Sequence, residues 1–171
     1  MPDNARLTLV LGGARSGKSS YAEGLVTALP PAWTYIATAE ARDQEMRDRI
    51  AQHQARRGEG WRTINAPLQL ADALEQIEPG MPVLIDCLTL WLSNHMLAEN
   101  DVEAECERLL EIFSRPRGPW VAVSNEVGLG IVPDNALGRR FRDAQGRLNQ
   151  MVASGADDVL LLVAGIPMKV K

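Results

Sequence analysis

Short apolar runs recur along this chain, at residues 7–11, 33–37, 61–64, 82–86, 120–124 and 158–163. Runs of this length bounded by turn residues predict buried strands. The stretches between them, at about 18–29, 44–57, 68–77, 102–113 and 135–153, are longer, and they predict helices. In the second of these, Met46 and Ile50 stand four apart, on one helical face. Turn signals (Leu29-Pro30-Pro31, Glu78-Pro79-Gly80 and Arg115-Pro116-Arg117-Gly118-Pro119) fall between the segments. Strands alternating with helices predict the α/β class: a mostly parallel sheet with helices on both faces. No turn is long enough to serve as an inter-domain linker, and no internal repeat or low-complexity tract is present. The 171 residues suit one well-cored domain spanning residues 1–171.

The first strand runs into Gly12-Gly13-Ala14-Arg15-Ser16-Gly17-Lys18-Ser19, and a helical pattern follows. G-x-x-x-x-G-K-[ST] between a strand and a helix is a phosphate-binding loop. Its glycines let backbone N–H groups curl around phosphate oxygens, and the helix N-terminus adds partial positive charge. Lys18 is positioned to reach the outer phosphates and the Ser19 hydroxyl to ligate Mg²⁺. The expected fold is therefore P-loop NTPase-like, with a nucleoside triphosphate as ligand.

Ligands of open α/β sheets collect beyond the carboxyl ends of the strands. Val83-Leu84-Ile85-Asp86 is an apolar strand ending in an acid, the form of a Walker B element. Asp86 there suits Mg²⁺ opposite Ser19, or an ordinary helix cap, or both. Asn125 and Glu126 put polar groups at another strand end. The apolar, Gly-rich stretch that follows, residues 127–133, fits no regular element. It suits either a buried connector or an apolar lip over a bulky substrate.

Composition narrows the partners. The net charge of −4 argues against nucleic acid. Cys87 and Cys106 match no metal spacing and suit a reducing compartment. The first residues lack a signal-peptide layout, and no apolar run approaches membrane-spanning length, so a cytoplasmic location is expected. Of two histidines, His53 has Arg49 four residues before it and Arg56 and Arg57 three and four after. At helical spacing these guanidinium groups form a seat for polyphosphate and disfavour protonation of the imidazole. A neutral imidazole on such a surface can attack phosphorus, although a solvated basic face with a bystander histidine has the same spacing. His95 lacks such neighbours and reads as structural.

Several stretches together resemble the bifunctional adenosylcobinamide kinase/adenosylcobinamide-phosphate guanylyltransferase family of cobalamin biosynthesis. They are the phosphate loop, Tyr35-Ile36-Ala37-Thr38-Ala39, Arg49-Ile50-Ala51-Gln52-His53, Trp61-Arg62-Thr63, Asp86-Cys87-Leu88-Thr89, residues 124–133, residues 141–150 and Val163-Ala164-Gly165-Ile166. The resemblance implies two reactions at one nucleotide site. ATP or GTP phosphorylates the aminopropanol hydroxyl of adenosylcobinamide. GTP is then attacked by a histidine, and the guanylyl group passes to the corrinoid phosphate. It further implies His53 as nucleophile and nucleotide contacts at Gly12, Gly13, Ala14, Arg15, Ser16, Gly17, Lys18, Ser19, Ala37, Thr38, Ala39, Gln54, Ala55, Arg56, Arg57 and Asp86. Asn65, where the family often has glutamate, is a further implied nucleotide contact, its neutral amide able to hydrogen-bond a ribose or base edge but not to make a charge-dependent contact. A ring-like homo-oligomer, trimer-like, is also implied. A monofunctional kinase and a non-catalytic GTP switch are the alternatives, the latter without the Asn-Lys-x-Asp motif that reads guanine.

Overall fold

The computed structural model describes residues 5–41 and 44–171, except for the side chains of Glu45, Arg49, His53 and Arg56. In chain order the elements are β1 (Arg6–Gly12), α1 (Lys18–Thr27), β2 (Trp33–Ala37), α2 (Gln44–Arg56), β3 (Trp61–Asn65) and α3 (Leu70–Glu75). They continue with β4 (Val83–Asp86), α4 (Leu88–Leu97), α5 (Val102–Phe113), β5 (Pro119–Asn125), α6 (Ala136–Gly155), β6 (Asp158–Val163) and β7 (Ile166–Lys169). The strands form one sheet in the order β3-β2-β4-β5-β1-β6-β7. Every neighbouring pair is parallel except β6 with β7, which is antiparallel.

All six strands expected from the apolar runs are present, as are the five expected helices, with ends shifted by up to two residues. Two elements were not expected. Helix α4 is apolar on most sides (Leu88, Trp91 and Leu92 are buried), so it carries no period that separates it from a connector. Strand β7 is short and contains Pro167, which is tolerated because β7 is an edge strand.

Period-2 alternation divides the central strands between two buried layers. Leu7, Leu9, Val83, Ile85, Trp120 and Ala122 face one layer, shared with α3 to α6. Val10, Tyr35, Leu84, Val121 and Val123 face the other, shared with Ala22 and Val26 of α1. Strand β5 lies between β1, which carries the phosphate loop, and β4, which ends in Asp86. That order brings the ends of three strands together on the α1 side. Asp86 and Asn125 continue the alternation of Leu84 and Val123, so both belong to this layer.

Candidate active site

The phosphate loop is held by its own backbone. Ser16 N–H donates to the Gly13 carbonyl at 3.3 Å, and Tyr21 N–H to the Gly17 carbonyl at 3.0 Å. Arg15 and Gly17 take left-handed conformations with φ of 56° and 89°. At Gly12 a Cβ would collide with Ser16 Oγ and lie 3.0 Å from the Leu162 carbonyl, so the tight turn excludes a side chain. Gly13, Ala14, Arg15 and Gly17 are exposed, leaving the loop open. Helix α1 starts at Gly17 with no side-chain cap, so its first N–H groups stay available to an anion. Ser16 Oγ is buried without a hydrogen-bond partner among the described residues.

Lys18 is buried and donates from Nζ to the Gly13 carbonyl at 2.9 Å. Burial lowers its pKa below the ordinary lysine value, opposed by Cys87 and Asp86 nearby. A triphosphate in the loop would restore the ammonium's partner and reverse that cost. Asp86 accepts from the Tyr35 hydroxyl through Oδ2 at 3.0 Å. Burial, together with the Asp86 charge, raises the Tyr35 pKa, so the phenol stays a donor. The Arg57 guanidinium lies 3.6 Å over the Tyr35 ring centre. Burial likewise pushes the Cys87 thiol up to about 12, which leaves it inert as a nucleophile at neutral pH.

These groups line one cleft of about 200 Å³, whose walls include Lys18, Ser19, Ala37, Ala39, Gln54, Arg57 and Asp86. Other expected residues sit around it. Thr38 is buried beneath, its hydroxyl bridging the Cys87 N–H at 2.8 Å and the Cys87 carbonyl at 2.7 Å. Asn94 Nδ2 donates to the Thr38 carbonyl at 2.8 Å, so Thr38 shapes the turn between Ala37 and Ala39. Asn65 is exposed at the end of β3, in register with Ala37, and Ala55 is exposed on α2; neither lines the cleft. His53 and Arg56 belong to α2, the helix that lends Met46, Ile50 and Gln54 to the cleft, but their side chains lie outside the described residues.

A family model described as cobinamide kinase / cobinamide phosphate guanyltransferase matches residues 8–170. This chain belongs to that family. Among curated relatives, the bifunctional adenosylcobalamin biosynthesis protein CobP of Pseudomonas aeruginosa is 48% identical, over 95% of this chain and 96% of the relative. The bifunctional CobU of Salmonella typhimurium is 39% identical, over 96% and 99%. Solved structures share the fold at low identity. A Pyrococcus horikoshii OT3 protein has a TM-score of 0.57 at 10% identity, covering 98% of this chain and 87% of that one. The RadB recombinase has a TM-score of 0.53 at 16%, covering 92% and 75%. The sheet is therefore P-loop NTPase-like, as its loop predicts.

The cleft also includes residues not expected as nucleotide contacts. Tyr35, Leu90 and Asn125 line the cleft; of these only Asn125 carried a sequence signal, its place at a strand end. His95 is buried, with Nε2 3.1 Å from the Leu68 carbonyl and Nδ1 3.0 Å from Asn100 Nδ2, the structural role expected of it. The 127–133 stretch is not a buried connector: Leu129, Ile131 and Val132 are 88%, 98% and 60% exposed. It leaves the carboxyl end of β5 as an open apolar loop.

Proposed function

We propose that the chain is a single catalytic domain that phosphorylates adenosylcobinamide and then transfers GMP from GTP to adenosylcobinamide phosphate, as its family does. The observation that carries this reading is the cleft itself. An intact, uncapped phosphate loop faces Asp86 across the end of β5, with the helix bearing His53 forming another wall. Lys18 and the loop N–H groups seat the triphosphate, and the orphaned Ser16 hydroxyl has a donor to spare for it. Gln54 and Arg57 hold the nucleotide from the α2 side. His53, the family's nucleophile by position, attacks the α-phosphorus and expels pyrophosphate. In the kinase reaction the acceptor hydroxyl attacks the γ-phosphorus instead.

Mg²⁺ fits the donor set. Asp86 keeps one carboxylate oxygen clear of hydrogen bonds among the described residues, and the Ser19 hydroxyl lines the same cleft. Among the described residues no group of three or more His, Cys, Asp or Glu could hold a metal alone. Bound there with the nucleotide, Mg²⁺ would neutralise triphosphate charge. The exposed 127–133 loop supplies apolar surface for the corrinoid. Among the described residues no helix is long and apolar enough to cross a membrane. A cytoplasmic enzyme, working as a homo-oligomer, completes the reading.

Lys18→Ala tests it. Both phosphorylation of adenosylcobinamide and pyrophosphate release from GTP should fall by at least about 10²-fold, with the circular dichroism spectrum unchanged. Either activity surviving near the wild-type rate would show that the loop is not a shared site.

A further inference from the structure

Strand β5 overshoots its neighbour β4. Their last paired residues are Asp86 and Val123, whereas on the other side Asn125 is still in register with Gly12 of the phosphate loop. Two residues beyond the end of β4, the Asn125 backbone has no strand partner on that side. Side chains take the place of one. Thr89 Oγ1 accepts the Asn125 N–H at 2.8 Å, and Asn149 Nδ2 donates to the Asn125 carbonyl at 3.0 Å.

Those two side chains belong to a buried polar group. Ser124 Oγ donates to Asn149 Oδ1 at 2.7 Å, and Gln145 Nε2 donates to both Ser124 Oγ and Asn149 Oδ1 at 2.9 Å. Thr89 Oγ1 lies 3.5 Å from Ser124 Oγ. Thr89, Ser124, Gln145 and Asn149 are all buried. An apolar packing at this spot would avoid the desolvation cost of four polar side chains. What the network achieves is rigidity at one point: it locks the backbone of Asn125 from α4 and α6 at once.

The Asn125 carboxamide is left over. It makes no hydrogen bond among the described residues, and alternation places it on the α1 side, in the cleft with Lys18, Ser19 and Asp86. We propose that Asn125 is a catalytic residue for phosphoryl transfer, contacting the γ-phosphoryl end of the bound triphosphate and the attacking hydroxyl. This rests on the nucleotide reading of the cleft. A carboxamide suits the position because it donates to a phosphoryl oxygen through Nδ2 and accepts from the hydroxyl through Oδ1. It adds no negative charge beside the triphosphate. In the step it orients, the hydroxyl oxygen bonds to the γ-phosphorus and the bond to the β–γ bridging oxygen breaks. The nucleoside diphosphate leaves and the hydroxyl proton passes to a phosphoryl oxygen; Asn125 exchanges no proton. Thr89, Ser124, Gln145 and Asn149 are positioning residues that act through it.

Asn125→Ala and the isosteric Asn125→Asp test the proposal, with GTP binding measured by calorimetry beside both activities. In Asn125→Ala, kcat for adenosylcobinamide phosphorylation should fall about 100-fold, with GTP affinity kept within about threefold. Pyrophosphate release, which depends on attack at the α-phosphorus, should fall far less. Asn125→Asp, which keeps the shape but replaces the Nδ2 donor with a charged oxygen, should show a kinase loss at least as large, with pyrophosphate release again far less affected. Kinase kcat within twofold of wild type in either variant, or equal losses in both activities, would each overturn it. Lys18→Ala separates this failure from that of the nucleotide reading. If it binds GTP as wild type does, the cleft is not the nucleotide site; if it loses GTP while Asn125→Ala behaves as wild type, only the Asn125 assignment falls.

Discussion

Helices α1 and α6 follow neighbouring parallel strands, β1 and β5, yet they begin in opposite ways. Helix α1 starts within the phosphate loop, after Gly17, with no side chain on its first N–H groups. Helix α6 starts after a ten-residue connection from its strand, and its own Asn135 side chain accepts from the Gly138 N–H at 2.7 Å. One N-terminus is left unsatisfied at the strand ends, where an anion can complete it. The other is self-satisfied, and the chain before it is spent on an exposed apolar loop. The carboxyl end of the sheet thus offers two chemistries side by side: charge-hungry backbone after β1, and apolar surface after β5. A substrate pair made of a triphosphate and a large corrinoid needs both.

The comparison breaks most readily on the apolar side. Leu129→Asp should raise the Michaelis constant for adenosylcobinamide by about tenfold or more, the loss expected when a buried leucine contact is replaced by a charge. The constant for GTP should stay within about twofold. Steady-state kinetics with each substrate varied in turn checks this, and equal effects on both would detach the loop from the corrinoid. A smaller effect sharpens the contrast between the helix starts. Asn135→Ala should cost about 1 kcal/mol of stability in urea denaturation, with both activities largely kept, because that cap serves only the helix. A loss of GTP binding in this variant would show that the α6 N-terminus also faces the nucleotide.

The layout of the fold was legible in the sequence because strands buried on both faces leave apolar runs, as Leu9 to Leu11 and Val83 to Ile85 do. The phosphate loop and Asp86 were legible because their chemistry is local: each is a few consecutive residues at a strand end. Helix α4 was not, since burial on most sides erases the periodicity that marks a helix. Gln145 and Asn149 illustrate the other limit. Four apart on α6, they read as part of a solvated polar face, whereas both are buried and hydrogen-bonded to β5. Polarity in sequence signals exposure, and only the packing of α6 on the end of β5 shows that these side chains bond Ser124 and one another. Asn125 falls between these cases: its place at a strand end was visible, the cleft it shares with Tyr35 was not.

The central claim, that one cleft supports both attack at the γ-phosphorus and a guanylyl-enzyme on His53, is tested most directly by labelling. The wild-type protein should take up ³²P from GTP labelled at the α position and not from GTP labelled at the γ position. The bond should be acid-labile and alkali-stable, as a phosphoramidate is, and adenosylcobinamide phosphate should chase the label off. His53→Asn should take up none while still phosphorylating adenosylcobinamide, because an amide does not attack phosphorus but the loop continues to seat the triphosphate. Label from the α position persisting in His53→Asn, or appearing on His95, would contradict the account.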